Sequence, residues 1–377
     1  MTRAELAPEW AAVFDAVPRS RFLPDLIWPF IAPGEYQAVD RAAEPGAWQQ
    51  WADADQAIVT QWDDGNHTGQ GPGRVATSSS SQPSLVAEML TDLDPQPGEH
   101  VLDIGAGTGW TTALLASRVG PGNVIGIEID PAMATAAAQR LGAAGIDAEI
   151  ITGNADHGWA PDAPYDRLQA TYAIRQLPPA WIGQTRPGGT IVAPWRTDFT
   201  HPGAVVRLTV GGDGTATGLF TRPAEFMHNR HQRITWPDHT AYIPGDHWPE
   251  GTRESTATIA PQDLWDSAYS VATFVVGLLV PGVVHTTATS ENGEFTAWFY
   301  ALTSPSWAVL YADSHDDAKA EVYQGGPRQL WDEIEAAYHH WTGHGQPGHT
   351  RLGLTIAADG NVRVWADDPG RQLLARG

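Results

Sequence analysis

The stretch VLDIGAGTG, residues 101–109, decides the reading of this chain. HVLDI (100–104) has the length and composition of a short buried strand, and it runs straight into a turn carrying Gly105, Gly107 and Gly109. A helix from Thr108 to Val119 follows, stopped by Gly120. Glycines at this spacing let the backbone turn sharply and approach a ligand where a side chain would collide. A dinucleotide fingerprint needs G-x-G-x-x-G, and here its sixth position is Trp110, so the turn does not suit a pyrophosphate. G-x-G-x-G behind Asp103 suits a ligand without phosphate, whose cationic or amino-bearing group can face an acidic side chain.

Working outward, VIGIEI (124–129) is a second strand, and Glu128 stands 19 residues after Gly109. A doubly wound architecture places an acceptor for ribose hydroxyls there. AEIIT (148–152) is a third strand followed by GNADHG (153–158), where Asn154 is the candidate contact for an adenine amino group. A glycine triplet alone is an ordinary strand–helix turn. Acidic or amide side chains at three successive strand ends, Asp103, Glu128 and Asn154, argue instead for a nucleoside with an ammonium and a sulfonium, S-adenosyl-L-methionine, leaving S-adenosyl-L-homocysteine as product. Pro131 opens an alanine-rich helix closed by Gly145, and DRLQATYA (166–173) and GGTIVAPW (188–195) supply further strands around the helix PPAWIGQ (178–184). Such alternation predicts a doubly wound, Rossmann-like α/β fold, a parallel sheet with helices on both faces. GGDG between VVRLTV and ATGLF marks a hairpin that would add an antiparallel edge.

Residues 1–40 read as helical with breaks, Phe22, Leu23, Leu26 and Ile27 continuing the helical spacing of Trp10, Val13, Phe14 and Val17. DDGNHTGQGPGRVATSSSSQP (63–83) reads either as a flexible linker or as a cofactor or substrate loop before a helix that begins at Pro83. Beyond about Arg233 the pattern turns to α+β. A helix is expected over Leu264 to Leu279, strands over Phe295 to Leu302 and Trp307 to Tyr311, and a helix over Arg328 to Trp341. A last hairpin turns at Asp359–Gly360. The expected division is 1–233, a catalytic domain, and 234–377, an accessory α+β domain.

The chain has 377 residues with 22 Lys+Arg against 44 Asp+Glu, a formal charge of −22, and 42% hydrophobic residues including 17 Trp. That length and apolar content support a globular core, whereas the acidity and the lack of a Lys/Arg cluster exclude nucleic acid as the expected partner. Cysteine is absent, which removes disulfides, thiolate metal sites and cysteine nucleophiles together. The opening MTRAELAPEW lacks an apolar signal core, and the most apolar run, Ala272 to Val284, is broken by Pro281. A cytoplasmic protein without membrane association is expected. His339, His340, His344 and His349 invite a metal reading, but Gly343, Gly345 and Pro347 interrupt their helix and H-E-x-x-H is missing, so no metal is expected.

SSSQPSLVAEML, VLDIGAGTGWTTALLA, IGIEIDPAMATAAAQRL and APYDRLQATYAIRQLPPAWIGQTRPGGTIVAPW together resemble protein L-isoaspartyl O-methyltransferases, as does FDAVPRSRFLP near the start. The resemblance covers about residues 10–235. It implies a class I SAM-dependent methyltransferase sheet in which Asp103, Gly105, Gly107, Gly109 and Glu128 line the cofactor. Ser81, flanked by Ser80 and Gln82 in the family's serine-containing loop, would stand beside the methyl-accepting carboxylate; Asn154 replaces the more usual Asp. Two departures, Arg175 within TYAIRQLPP and the long C-terminal extension, resemble the actinobacterial branch that matures ribosomally made graspetides and lanthipeptides. For that branch the resemblance implies methylation of an aspartate in a constrained, macrocyclic precursor peptide, the ester then closing to an aspartimide. The alternative is repair methylation of isoaspartate in damaged proteins.

The chemistry asks little of the side chains. A carboxylate is ionised at pH 7 and needs no general base, so positioning and water exclusion are what the protein must supply. Ser81 is expected to hold one carboxylate oxygen, or else to cap the helix starting near Pro83. Arg175 and Arg230 are candidates for binding substrate carboxylates, or else structural ion pairs. The C-terminal region is read as a peptide-holding, stabilising or homodimerising module.

Overall fold

The computed structural model describes residues 7–236, 238–245, 247–317 and 319–375. The reading of the amino terminus rests partly on residues 1–6, which lie outside the described residues. Two compact units emerge: the chain through Tyr172 with Leu177–Ala193 and Arg207–Ala216, and Ala173–Gln176, Pro194–Val206 and the chain from Thr217 onward. A single cut at residue 233 does not separate them, because the strands Gly203–Val210 and Ala216–Ala224 contribute residues to both. Among the described residues no helix is long and apolar enough to cross a membrane.

In the first unit every residue of Val101–Ile104 is buried. This strand pairs in parallel with Val124–Glu128 on one side and Tyr165–Ala170 on the other. Val124–Glu128 in turn pairs with Glu149–Thr152, and Tyr165–Ala170 with Thr185–Trp195, all parallel. Counted along the chain, the five strands therefore lie in the order 3-2-1-4-5. That is the doubly wound order expected, and its direction reverses between Val101–Ile104 and Tyr165–Ala170. A crevice opens outside the carboxyl ends of the strands at such a switch point. Helices Trp110–Val119, Pro131–Ala143 and Pro179–Gln184 make the crossovers. Asp130 caps the second of these, its Oδ1 accepting from the amides of Ala132 at 2.8 Å and Met133 at 3.1 Å.

The amino-terminal reading needs correction. Helix Pro8–Ala16 is present, but Leu26–Ala32 is a strand, antiparallel to Ile58–Trp62. Ile58–Trp62 also pairs with Ala76–Ser80, so the end of the serine-rich segment is a strand rather than a linker. Leu26 and Ile27 satisfy helical spacing and strand composition equally, and the partner strand some thirty residues on decides between them.

The second unit holds a five-stranded antiparallel sheet in the order Arg253–Thr256, Glu321–Gly325, Trp307–Ala312, Phe295–Ala301, Val283–Thr289. Helices Val271–Leu279 and Leu330–Gly343 pack on each other, and the latter packs on the sheet. The helix expected over 264–279 is two, Pro261–Leu264 and Val271–Leu279. Between them Trp265 leaves the helical path and its indole donates to His285 at 3.0 Å. Leu352–Ile356 and Val362–Ala366 form the expected hairpin.

Candidate active site

The glycine turn is held by its own amides. Gly105 and Ala106 N–H both donate to the Ile127 carbonyl at 2.9 Å, and Gly109 N–H donates to Ala106 at 2.8 Å. Gly107 N–H donates to Glu128 Oε2 at 2.9 Å, while Glu128 Oε1 accepts from Asp130 N–H at 3.0 Å. All three glycines have positive φ, +80°, +55° and +86°. A Cβ at Gly105 would stand 2.8 Å from the Tyr172 ring and one at Gly109 3.1 Å from Ala137, whereas one at Gly107 would meet nothing nearer than 3.7 Å. A side chain at Gly105 would thus collide with Tyr172 and one at Gly109 would crowd Ala137, whereas at Gly107 a Cβ would sit in ordinary van der Waals contact and it is the φ of +55° that favours glycine.

Asp103 differs from the expected open contact. It has no exposed surface, and its Oδ2 accepts from the Thr112 hydroxyl at 2.6 Å, fastening the turn to the helix that follows. Among the described residues its Oδ1 has no partner. Burial pushes the carboxyl up to about 7, against the Thr112 hydrogen bond, and the charge of Glu128 adds to the rise. Asp103 therefore supports the turn from beneath and keeps one acceptor oxygen in reserve.

The serine segment lies against the same turn. The nearest atoms to a Cβ built on Gly107 include Ser78 Oγ at 3.7 Å and the Ser79 carbonyl at 4.0 Å. Ser80 is 3% exposed, and among the described residues its hydroxyl has no partner. Ser81 does not cap the next helix: Gln82 occupies that position, without a side-chain cap, and Gln82 Nε2 donates to Ser84 Oγ at 2.9 Å. Asp55 supplies the missing acceptor, taking the Ser84 amide at 2.8 Å. The segment before the strand is also ordered by hydrogen bonds. Asp63 accepts from the amides of Arg74 and Val75, and Thr77 bridges the Asp64 amide and Gln61 Oε1. Gln61 then reaches Asp130 Oδ2 at 2.5 Å, two residues from Glu128.

Asn154 lies just past the third strand, where its Oδ1 accepts from Asp156 N–H at 2.9 Å and caps a short 3-10 turn. Tyr172, which the sequence did not single out, packs on Gly105 and feels the charges of Asp156 and Glu128. Burial, then those two charges, raises its phenol far above the usual range, so it stays neutral. Thr171 Oγ1 donates to the Gly105 carbonyl at 2.7 Å. One ring of groups around the switch point thus includes Gly107, Glu128, the strand Ala76–Ser80 and Tyr172.

Arg19 is the other residue that sequence reading passed over. It is 4% exposed, and its guanidinium donates to the carbonyls of Ala52, Gln56, Ser81, Trp51 and Ala54 at 2.7–3.2 Å. The only hint was its place in FDAVPRSRFLP. The remaining candidates belong to the second unit. Arg175 is engaged by the Asp198 carboxylate and donates from Nε to the Gln232 carbonyl at 2.9 Å, which is the structural ion-pair reading. Arg230 lies half-buried in the turn Arg230–Gln232.

Comparison with known proteins agrees with this geometry. Residues 51–207 match the family model for protein-L-isoaspartate(D-aspartate) O-methyltransferase. A protein-L-isoaspartate O-methyltransferase of Methanopyrus kandleri is 36% identical over 144 residues, 35% of this chain and 64% of that protein. One of Aeropyrum pernix is 41% identical over 135 residues, 35% of this chain and 52% of that protein. The chain thus spans between half and two thirds of the length of these curated relatives. A solved protein-L-isoaspartate O-methyltransferase superposes with a TM-score of 0.54 at 19% identity, covering 96% of each chain. The fold is that of a class I methyltransferase with an added C-terminal α+β region, and residues 51–207 are similar in sequence to the isoaspartyl methyltransferases.

Proposed function

We propose that this protein is an S-adenosyl-L-methionine-dependent carboxyl O-methyltransferase acting on isoaspartyl side chains of peptides or proteins. The observation that carries the reading is the glycine turn at Gly105–Gly109, where Gly107 N–H donates to the Glu128 carboxylate and Ser78 Oγ and the Ser79 carbonyl lie 3.7 and 4.0 Å from the Gly107 Cβ position. The residues present fit the cofactor: Glu128 suits ribose hydroxyls, the Asn154–Asp156 turn suits an adenine, and Asp103 holds the turn from beneath. When bound, S-adenosyl-L-methionine supplies a methyl group activated for attack by an oxyanion. The chain itself supplies orientation and a dry site. The Ser80 hydroxyl, buried and unpartnered, and that of its neighbour Ser81 are the donors suited to hold one oxygen of the acceptor carboxylate.

The relatives favour isoaspartate as the acceptor. The sequence-based preference for an aspartate of a modified peptide, closing to an aspartimide, stands second. It rests on Arg175 within TYAIRQLPP and on the C-terminal extension, and the length of that extension no longer argues for it, since the superposed isoaspartyl methyltransferase matches 96% of this chain. Radiolabelled methyl transfer to an isoaspartyl peptide, its aspartyl isomer and a cyclised acidic precursor tests both. Turnover of the isoaspartyl peptide at a kcat/KM well above the other two is expected; turnover of the cyclised precursor alone would transfer the assignment to peptide maturation.

A further inference from the structure

Tyr172 stands just beyond the carboxyl end of the strand Tyr165–Ala170. Ala170 pairs with Ile104, so the residues that follow the two strands meet: Thr171 N–H donates to the Ile104 carbonyl at 2.9 Å, and the Tyr172 ring lies against Gly105. A Cβ on Gly105 would stand 2.8 Å from Cδ1 and 3.2 Å from Cε1 of that ring. Trp181, fully buried, packs on the ring at a centroid distance of 6.4 Å, and its own indole donates to the Ala155 carbonyl at 2.7 Å. The ring is therefore held on the glycine turn by backbone and by a fixed indole. Tyr172 is nevertheless only half-buried, and it feels the charges of Asp156 and Glu128, so it borders the crevice at the switch point as well as the core.

Glu128 and the Asn154–Asp156 turn end the two strands on one side of Val101–Ile104, and Tyr172 follows the strand on its other side. A nucleoside held by Glu128 and that turn has its sulfonium and amino-acid end at Gly105, toward Tyr172. A sulfonium carries no N–H or O–H, so it is recognised by charge and by the negative face of an aromatic ring rather than by directed hydrogen bonds. The acceptors at this end already have donors from the chain. Thr171 Oγ1 serves the Gly105 carbonyl at 2.7 Å, Thr171 N–H serves that of Ile104, and Asp103 is bonded to Thr112 beneath the turn. We propose that the Tyr172 ring is the surface on which the sulfonium of the cofactor rests, and that it sets the balance of affinity between the charged cofactor and its neutral demethylated product. The proposal rests on the methyltransferase reading above. When the acceptor carboxylate takes the methyl group, the electron pair of the carbon–sulfur bond returns to sulfur and the charge is gone. The attraction thus acts before transfer and lapses after it, which favours exchange of product for fresh cofactor. Its part is in binding and exchange, because the charge it attracts is already diminished in the transition state.

Titration calorimetry with S-adenosyl-L-methionine and with S-adenosyl-L-homocysteine, on the intact protein and three variants, reads the ratio of the two Kd values. Tyr172→Phe keeps the ring, and Tyr172→Leu keeps apolar bulk without an aromatic face. Pentafluorophenylalanine at position 172, introduced by codon suppression, keeps the shape of the ring and removes the negative potential of its face. Tyr172→Phe is expected to stay within about twofold of the wild-type ratio, whereas the other two should shift it by about tenfold against S-adenosyl-L-methionine. Packing on Gly105 and Trp181 alone would weaken both nucleosides alike and leave the ratio unchanged, a result that overturns the proposal. Should leucine cost the variant its melting transition, the fluorinated ring, which fills the same space, decides. Heat with neither nucleoside in wild type would refute the methyltransferase reading and this inference with it. Heat with both and a constant ratio across the variants refutes this inference alone.

Discussion

Asp103 shows how one residue type in one place carries two consequences. A carboxyl without exposed surface is costly to ionise, and the Thr112 hydroxyl and nearby Glu128 pull it in opposite directions. Its value in the folded protein, about 7, lies above its ordinary 3.8. Between those values the folded chain holds a proton that the unfolded chain has released, so this group makes stability fall as pH rises from about 4 to about 7. Asp103→Asn removes that dependence. Urea unfolding at pH 5 and pH 8 should show the variant gaining on wild type at the higher pH by more than about 1 kcal/mol, the worth of one pKa unit. A gain toward low pH would contradict the burial of an unmatched carboxyl. The sequence identified this residue but assigned it to the open face of the turn. Only the packing of Thr112, nine residues on, reveals that it points inward.

At the scale of elements, strand, glycine turn and helix over 101–119 were legible because every local signal agrees: an apolar run, glycines at three alternate positions and a helix stop at Gly120. Residues 22–32 were misread because Leu26 and Ile27 fit two periodicities, and the deciding contact, Ile58–Trp62, is remote in sequence. Arg19 was invisible for a related reason. Its acceptors are backbone carbonyls 32 to 62 residues away, and carbonyls leave no trace in residue types. It joins the end of helix Pro45–Asp53 to the residue after the serine strand through five hydrogen bonds. Arg19→Met keeps the apolar stem and takes the guanidinium from all five carbonyls, of which Trp51 keeps the Ala54 amide at 3.1 Å; each one left dry without a donor costs about 1–3 kcal/mol. Chemical denaturation should show a loss of at least about 3 kcal/mol. Arg19→Lys should not restore it, because one ammonium cannot span acceptors arranged for a planar fork. Recovery by lysine would show that charge rather than geometry holds the serine loop.

For the molecule as a whole, a charge of −22 repels any acidic ligand at long range, and the more so at low ionic strength. The second unit was only partly visible in sequence: the C-terminal extension was recognisable as α+β, but the pairing of Arg175 with Asp198 depends on the fold. The central claim is that the turn at Gly105–Gly109, with Glu128, binds a sulfonium nucleoside or its demethylated product. Titration calorimetry with S-adenosyl-L-homocysteine tests it most directly. Wild type should give one saturable site per chain, and Glu128→Gln, which gives up an ionised acceptor for Gly107 N–H, should bind at least about tenfold more weakly with its melting transition intact. Absence of heat in the wild-type protein, or undiminished affinity in the variant, would contradict the account.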